Sequence, residues 1–219
     1  MKALWFIILL SLPGVGLAED DNDIEKVNGA IEVEAGQRVG DVSTVNGSIR
    51  IKSGATVEEA ETVNGSIDLG ERGTAESLET VNGTIRIGAA ARVTEEVETT
   101  NGSVSLAREA DVQGGVRTVN GDITLVSAHV GGGIRTREGD IEVGAGSRVE
   151  GGIKVEKSQG GFNISLFKST PQVVIGPGAV VQRALEFERE VKLYVSESAT
   201  IGEVKGATAV RFSGAEPED

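Results

Sequence analysis

The chain contains no cysteine, a single histidine, four prolines and only 3% aromatic residues. Without cysteine there is no disulfide, no thiolate metal site and no redox pair. A bacterial lipoprotein anchor, which needs a cysteine behind its leader, is excluded too. Positive charge is also scarce, with 21 Lys and Arg against 34 Asp and Glu, for a net charge of −13. Such a surface repels nucleic acid phosphates and anionic lipid headgroups. Neither class of partner is expected.

Long apolar runs are missing after the first residues. Lys2 precedes an apolar stretch from Ala3 to Leu12, followed by Pro13, Gly14 and the small-residue end Gly16-Leu17-Ala18. A basic start, a short apolar centre and a small-residue end describe an export signal over residues 1–18 with cleavage after Ala18. The stretch falls short of the roughly 20 apolar residues that span a bilayer. Cleavage removes Lys2 and no acid, so −13 becomes −13 − 1 = −14. The expectation is an exported bacterial protein, periplasmic or extracellular, with no membrane insertion once the signal is gone.

Glycine, at 31 residues, is abundant. Many short strands with glycine at the corners have this composition, and helical proteins do not. The triplet Val-Asn-Gly begins at Val27, Val45, Val63 and Val81, 18 residues apart, and returns as Thr100-Asn101-Gly102 and Val119-Asn120-Gly121. A fixed period of this size marks stacked copies of one small unit. Apolar residues also recur every six positions, at Val27, Val33, Val39, Val45, Ile51 and Val57 and onward to Val93. Three six-residue sides per turn make a triangular prism. Pairs such as Ile31 and Val33, Ile49 and Ile51, or Ile67 and Leu69 have the two-residue spacing of a strand. The fold expected is all-β: a single-stranded parallel β-helix, or β-solenoid, of triangular cross-section with 18–19 residues per coil.

The repeat also assigns roles. A core stack is expected at Val27, Val45, Val63, Val81, Val119, Val155, Val173, Val191 and Val210, with every step 18 or 19 residues or a multiple of it. A further apolar stack runs through Ile24, Val42, Ala60, Leu78, Val97, Val116, Ile134 and Ile153. A structural corner ladder is expected at Asn28-Gly29, Asn46-Gly47, Asn64-Gly65, Asn82-Gly83, Asn101-Gly102 and Asn120-Gly121. Asn tolerates and Gly favours positive φ, and stacked amides can bond to one another. A hairpin turn is the rival reading of Asn-Gly, but hairpins do not require an apolar residue six positions later. Thr44, Thr62, Thr80, Thr99, Thr118 and Thr136 form a polar ladder beside the amides. The division expected is a leader over 1–18, an acidic N-terminal cap over 19–23, Asn-Gly coils over 24–152, continuing coils over 153–212 and an acidic tail over 213–219.

The repeats Thr44-Val45-Asn46-Gly47-Ser48-Ile49 and Thr62-Val63-Asn64-Gly65-Ser66-Ile67 resemble a bacterial adhesin-like β-strand-repeat family, a domain family of unknown function. Val174-Ile175-Gly176-Pro177-Gly178-Ala179-Val180-Val181 is similar to coils of the bactofilins, polymer-forming cytoskeletal proteins. Both resemblances imply a right-handed helix. The six-residue period also resembles the hexapeptide-repeat enzymes, which prefer a small residue where this chain has Ile31, Ile49, Ile67 and Ile85.

Chemistry has few candidates. His129 precedes Val130 and three glycines, which reads as a solvent-facing turn, with a catalytic role only in a hexapeptide-type enzyme. Asp20, Asp21 and Asp23 lack the alternation and glycine of a calcium loop. Asn46, Asn64, Asn82, Asn101 and Asn163 match the glycosylation pattern. Four of them are corner residues spaced one rung apart, so they read as structural. Glu25, Glu61, Glu79 and Glu98 occupy one outward position that Arg117, Arg135 and Lys154 continue. The expectation is therefore a protein without catalytic residues, cofactor or metal. It acts as a structural or adhesin-like envelope rod toward an envelope protein or polysaccharide, or self-associates through its end coils.

Overall fold

A computed structural model describes residues 22–157 and 170–217. Its strands pair in parallel throughout and form three sheets. Sheets A and B have ten strands each and sheet C has seven, so the chain is a β-solenoid of triangular section. Bridges from Arg38 to Thr56 and from Thr56 to Thr74 carry the sheet C column two coils further toward the N-terminus. Ten rungs at about 4.8 Å give a rod about 43 Å long.

One coil shows why the sequence folds this way. Glu59–Asn64 lies in sheet A, Ile67–Leu69 in sheet B and Thr74–Ala75 in sheet C, before Ser77–Asn82 returns to sheet A. Alternation along each strand sends Ala60, Thr62, Ile67, Leu69 and Ala75 inward. Each stacks on its equivalent one coil away: Ile67 pairs with Ile49 and Ile85, and Ala60 with Val42 and Leu78. The stack from Ile24 to Ile153 holds its register throughout, buried from Val42 onward. Burial of each large aliphatic contributes about 1.5–3 kcal/mol, while the ladders satisfy the backbone between rungs.

The triplet valines do not form the core stack expected of them. Val27 is 67% exposed, and Val45, Val63, Val81 and Val119 are half-buried. From the second coil onward the residue before each takes the interior place instead: Thr44, Thr62, Thr80 and Thr118 are buried, as is Thr99 before Thr100, while Lys26 before Val27 is exposed at the end of the rod. The cause is the corner that follows. Thr62 Oγ1 donates to the Gly47 carbonyl of the preceding coil at 2.9 Å, and Thr80 Oγ1 to Gly65 at 2.9 Å. A valine inside would leave those carbonyls without this donor. Where the Asn-Gly corners have ended, the same inner column passes from Thr136 to Val155 and Phe187, both buried. Thr136 is the last hydroxyl of the column, and it is buried with no hydrogen-bond partner among the described residues.

The 18-residue step also fails after Val155. Ile153 pairs with Leu185 and Ile141 with Val173, each 32 residues further on. The connection from Ile153–Val155 of sheet A to Gln172–Ile175 of sheet B is therefore longer than its equivalents in the other coils. Val155 and Val173 are buried but face the interior from different sheets. Val191 is half-buried, and Val210 is 55% exposed on the outside of sheet B. These four are not one column, because a repeat count alone cannot see the added length. The proposed leader, Asp20 and Asp21, Asn163, and the last two tail residues lie outside the described residues.

Candidate functional site

The solenoid presents outward columns in which equivalent residues stand one rung apart. Sheet A carries the most strongly patterned one. Its register runs Glu25, Ser43, Glu61, Glu79, Glu98, Arg117, Arg135, Lys154, Glu186, Lys205. The acidic half and the basic half meet at Glu98 and Arg117, whose side chains approach to 3.5 Å. Burial pushes the Glu61 carboxyl above its ordinary value, with the Asp41 charge adding to it. Burial likewise raises Glu79, helped by Glu61, Glu98 and Glu59. Glu59 is raised by burial and then by Asp41 and Glu61. Stacked like charges on one sheet thus cost free energy, and nothing in the core requires them.

Beside this column run two others. The triplet valines stand on the side facing the Asn-Gly corner. On the other side Glu59 pairs with Ser77, and the positions level with them further along become Gly115, Gly133, Gly152 and Ala184. Gly133, Gly152 and Ala184 line a groove of ≈ 560 Å³ together with Arg135 and Lys154.

At the corner itself the asparagine amides form a continuous ladder. Asn46 Nδ2 donates to Asn28 Oδ1 at 3.1 Å, and the same bond repeats at 2.9–3.1 Å up to Asn120 on Asn101. Glycine follows asparagine for a reason other than the one expected. The expected positive φ occurs only at the first and last corners, Gly29 at 109° and Gly121 at 158°, whereas Gly47, Gly65, Gly83 and Gly102 between them do not have it. A Cβ on Gly65 would instead stand 1.9 Å from the Gly47 carbonyl oxygen, and on Gly83 1.9 Å from that of Gly65. Coil-to-coil contact excludes the side chain.

His129 is placed differently from the expected turn. It lies on the strand His129–Val130 of sheet C, pointing outward. Its Nδ1 shares a hydrogen bond of 2.6 Å with Asp111 Oδ1, the carboxylate accepting, and its Nε2 is 3.5 Å from Glu150. Asp111 also pairs with Arg92 at 3.1 Å, and Glu150 with Arg148 at 3.3 Å. The imidazole thus lies between two carboxylates, each of which also pairs with an arginine. Sheet B shows the same arrangement where Lys52 bridges Glu32 and Glu34 and Arg86 meets Asp68 at 3.0 Å. A shallow groove of ≈ 740 Å³ beside these pairs is lined by Gly70, Gly88, Ala107 and Val126.

Among the described residues, no group of three or more His, Cys, Asp or Glu side chains is placed to hold a metal ion. No helix among them is long and apolar enough to cross a membrane. No family model matches the chain, and neither a curated protein nor a solved structure matches it. The sequence anticipated the amide ladder and the sign change on sheet A. It missed the His129 network, whose members are far apart in the chain and meet only through the 18–19-residue register.

Proposed function

We propose that the protein is a non-catalytic, exported β-solenoid acting as a structural or adhesin-like rod of the bacterial envelope. The observation that carries this reading is the repetition of its outer columns. One residue type stands over the next at the corner, and charges are ordered along sheet A over ten rungs. Such a surface suits a repetitive partner, an envelope polysaccharide or the flat face of another envelope protein, because each rung offers the same contact again. Sedimentation of the purified protein with isolated envelope material tests it. Binding that weakens when Arg135 and Lys154 are both changed to Glu supports the reading. A turnover activity that disappears in His129→Ala would overturn it in favour of a hexapeptide-type enzyme.

A second reading, a bactofilin-like polymer, is favoured by the ends. Among the described residues, Ile24–Asn28 and Ala209–Phe212 each pair on one side only and leave backbone groups for another strand. At the N-terminal end, the Asp23 carboxylate accepts the Asp41 N–H at 2.9 Å and places an acid over the edge. Electron microscopy separates the two readings, since long filaments at low ionic strength favour the polymer and isolated rods favour the scaffold.

A further inference from the structure

We infer that sheet A is a self-complementary face through which two copies of this chain pair side by side, antiparallel, about a two-fold axis between Glu98 and Arg117. An isologous contact requires that a surface be matched to itself after rotation. Eight of the ten positions of the charged column meet that condition. Rotation about the midpoint sets Glu98 against Arg117 of the second copy, Glu79 against Arg135, Glu61 against Lys154 and Glu25 against Lys205. The remaining position, Ser43 against Glu186, sets a neutral residue against an acid that already pairs with Lys205 at 3.2 Å. Each pair occurs twice.

An antiparallel two-fold axis between the faces runs along the strands, so each flanking column faces its own reversed copy. Glu59 then comes opposite Gly152 and Ser77 opposite Gly133, where the groove leaves room for the approach. On the other flank Val63 comes opposite Glu156 and Val81 opposite Arg137. Among the described residues Glu61, Glu79 and Arg135 have no ion-pair partner, whereas Arg117 already meets Glu98 at 3.5 Å, Lys154 meets Glu188 at 2.8 Å and Lys205 meets Glu186 at 3.2 Å. Burial raises the Glu61 and Glu79 carboxyls, with Asp41 adding to the first and Glu61 and Glu98 to the second, and an opposing cation relieves both. A face about 43 Å by about 17 Å covers about 700 Å² per copy, close to the roughly 800 Å² of a standard interface.

A charge-swap experiment tests the pairing by sedimentation velocity on the purified protein. The wild type should dimerise at about 0.1 M salt and dissociate at about 1 M, as the screening length falls from about 10 Å to about 3 Å. Glu79→Lys and Arg135→Glu should each be monomeric alone. Mixed together they should form a heterodimer, because the mixture restores opposite charges across both contacts. Circular dichroism confirms that both variants are folded. The pairing is refuted by a wild type that stays monomeric at low salt, by single variants that dimerise as the wild type does, or by a mixture that fails to associate. End-to-end growth through acidic ends has the opposite salt dependence, so association that strengthens with salt also refutes it.

Discussion

Two corners of the same coil use glycine for different reasons. At the corner between sheets A and B, Gly47, Gly65, Gly83 and Gly102 have no left-handed φ, and the coil beneath leaves no room for a Cβ. At the corner between sheets B and C the residues one rung apart are Gly36, Gly54, Arg72, Ala90, Glu109, Ser127, Gly146 and Gly178, and all have φ between 47° and 70°. Gly36, Gly54, Gly146 and Gly178 have nothing within 4 Å of a built Cβ. The first corner is limited by packing and the second by backbone torsion. Packing admits no substitute, and its glycine recurs in every Asn-Gly coil. Torsional strain of about 1–2 kcal/mol is tolerable, and four coils in the middle of the rod accept a side chain there.

The largest effect should separate the two corners directly. Gly65→Ala forces a methyl group into the Gly47 carbonyl and should destabilise by about 3 kcal/mol. Gly54→Ala meets open space at φ 68° and should lose only about 1 kcal/mol. Urea midpoints measure both, and equal midpoints would dissolve the distinction. Thr62→Val should come between them, at about 1–2 kcal/mol, because it keeps the shape but strips the Gly47 carbonyl of its donor. If the valine variant matched the wild type, burial alone would explain the inner threonine column.

A change at the acidic half of sheet A should show as a pH effect. Glu61 and Glu79 are raised in the folded protein, so the fold binds protons more tightly than the unfolded chain. Stability is then greatest below the ordinary carboxyl value and falls as pH rises through the raised values. Glu79→Gln should raise the melting temperature at neutral pH, with the gain vanishing in acid; a gain that persists in acid would trace to something other than ionisation. The smallest effect belongs to the torsional corner run in reverse. Ala90→Gly should be neutral to about 1 kcal/mol stabilising, because relief of strain at φ 54° exceeds or cancels the added backbone entropy. A melting temperature clearly below that of the wild type would show that Ala90 is not strained.

Fold and coil length were legible in the sequence because one interval repeats in plain view, and the strand pairs Ile67 and Leu69 fix which residues point inward. The triplet valines misled for a physical reason. Hydrophobicity favours Val63 for the interior, whereas an unpaired corner carbonyl favours the hydroxyl of Thr62, and the carbonyl becomes visible only once the coils are stacked. The length added after Val155 was hidden because Val173 and Val191 happened to preserve the interval. On the surface, the change of sign along sheet A could be read directly. Its symmetry about Glu98 and Arg117 needed the true pairing of Lys154 with Glu186 and of Glu186 with Lys205, across the point where the interval breaks.

The amide row at the Asn-Gly corner has a sense of direction. Every Nδ2 points toward the N-terminal end and every Oδ1 toward the C-terminal end. Turning one amide over would set two oxygens face to face on one side and two NH2 groups on the other. Each residue therefore inherits its orientation from its neighbour, and the row as a whole has two collective arrangements instead of an independent choice at every rung. An asparagine at one end can set the sense of one at the other, several coils away, with no movement of the backbone between them.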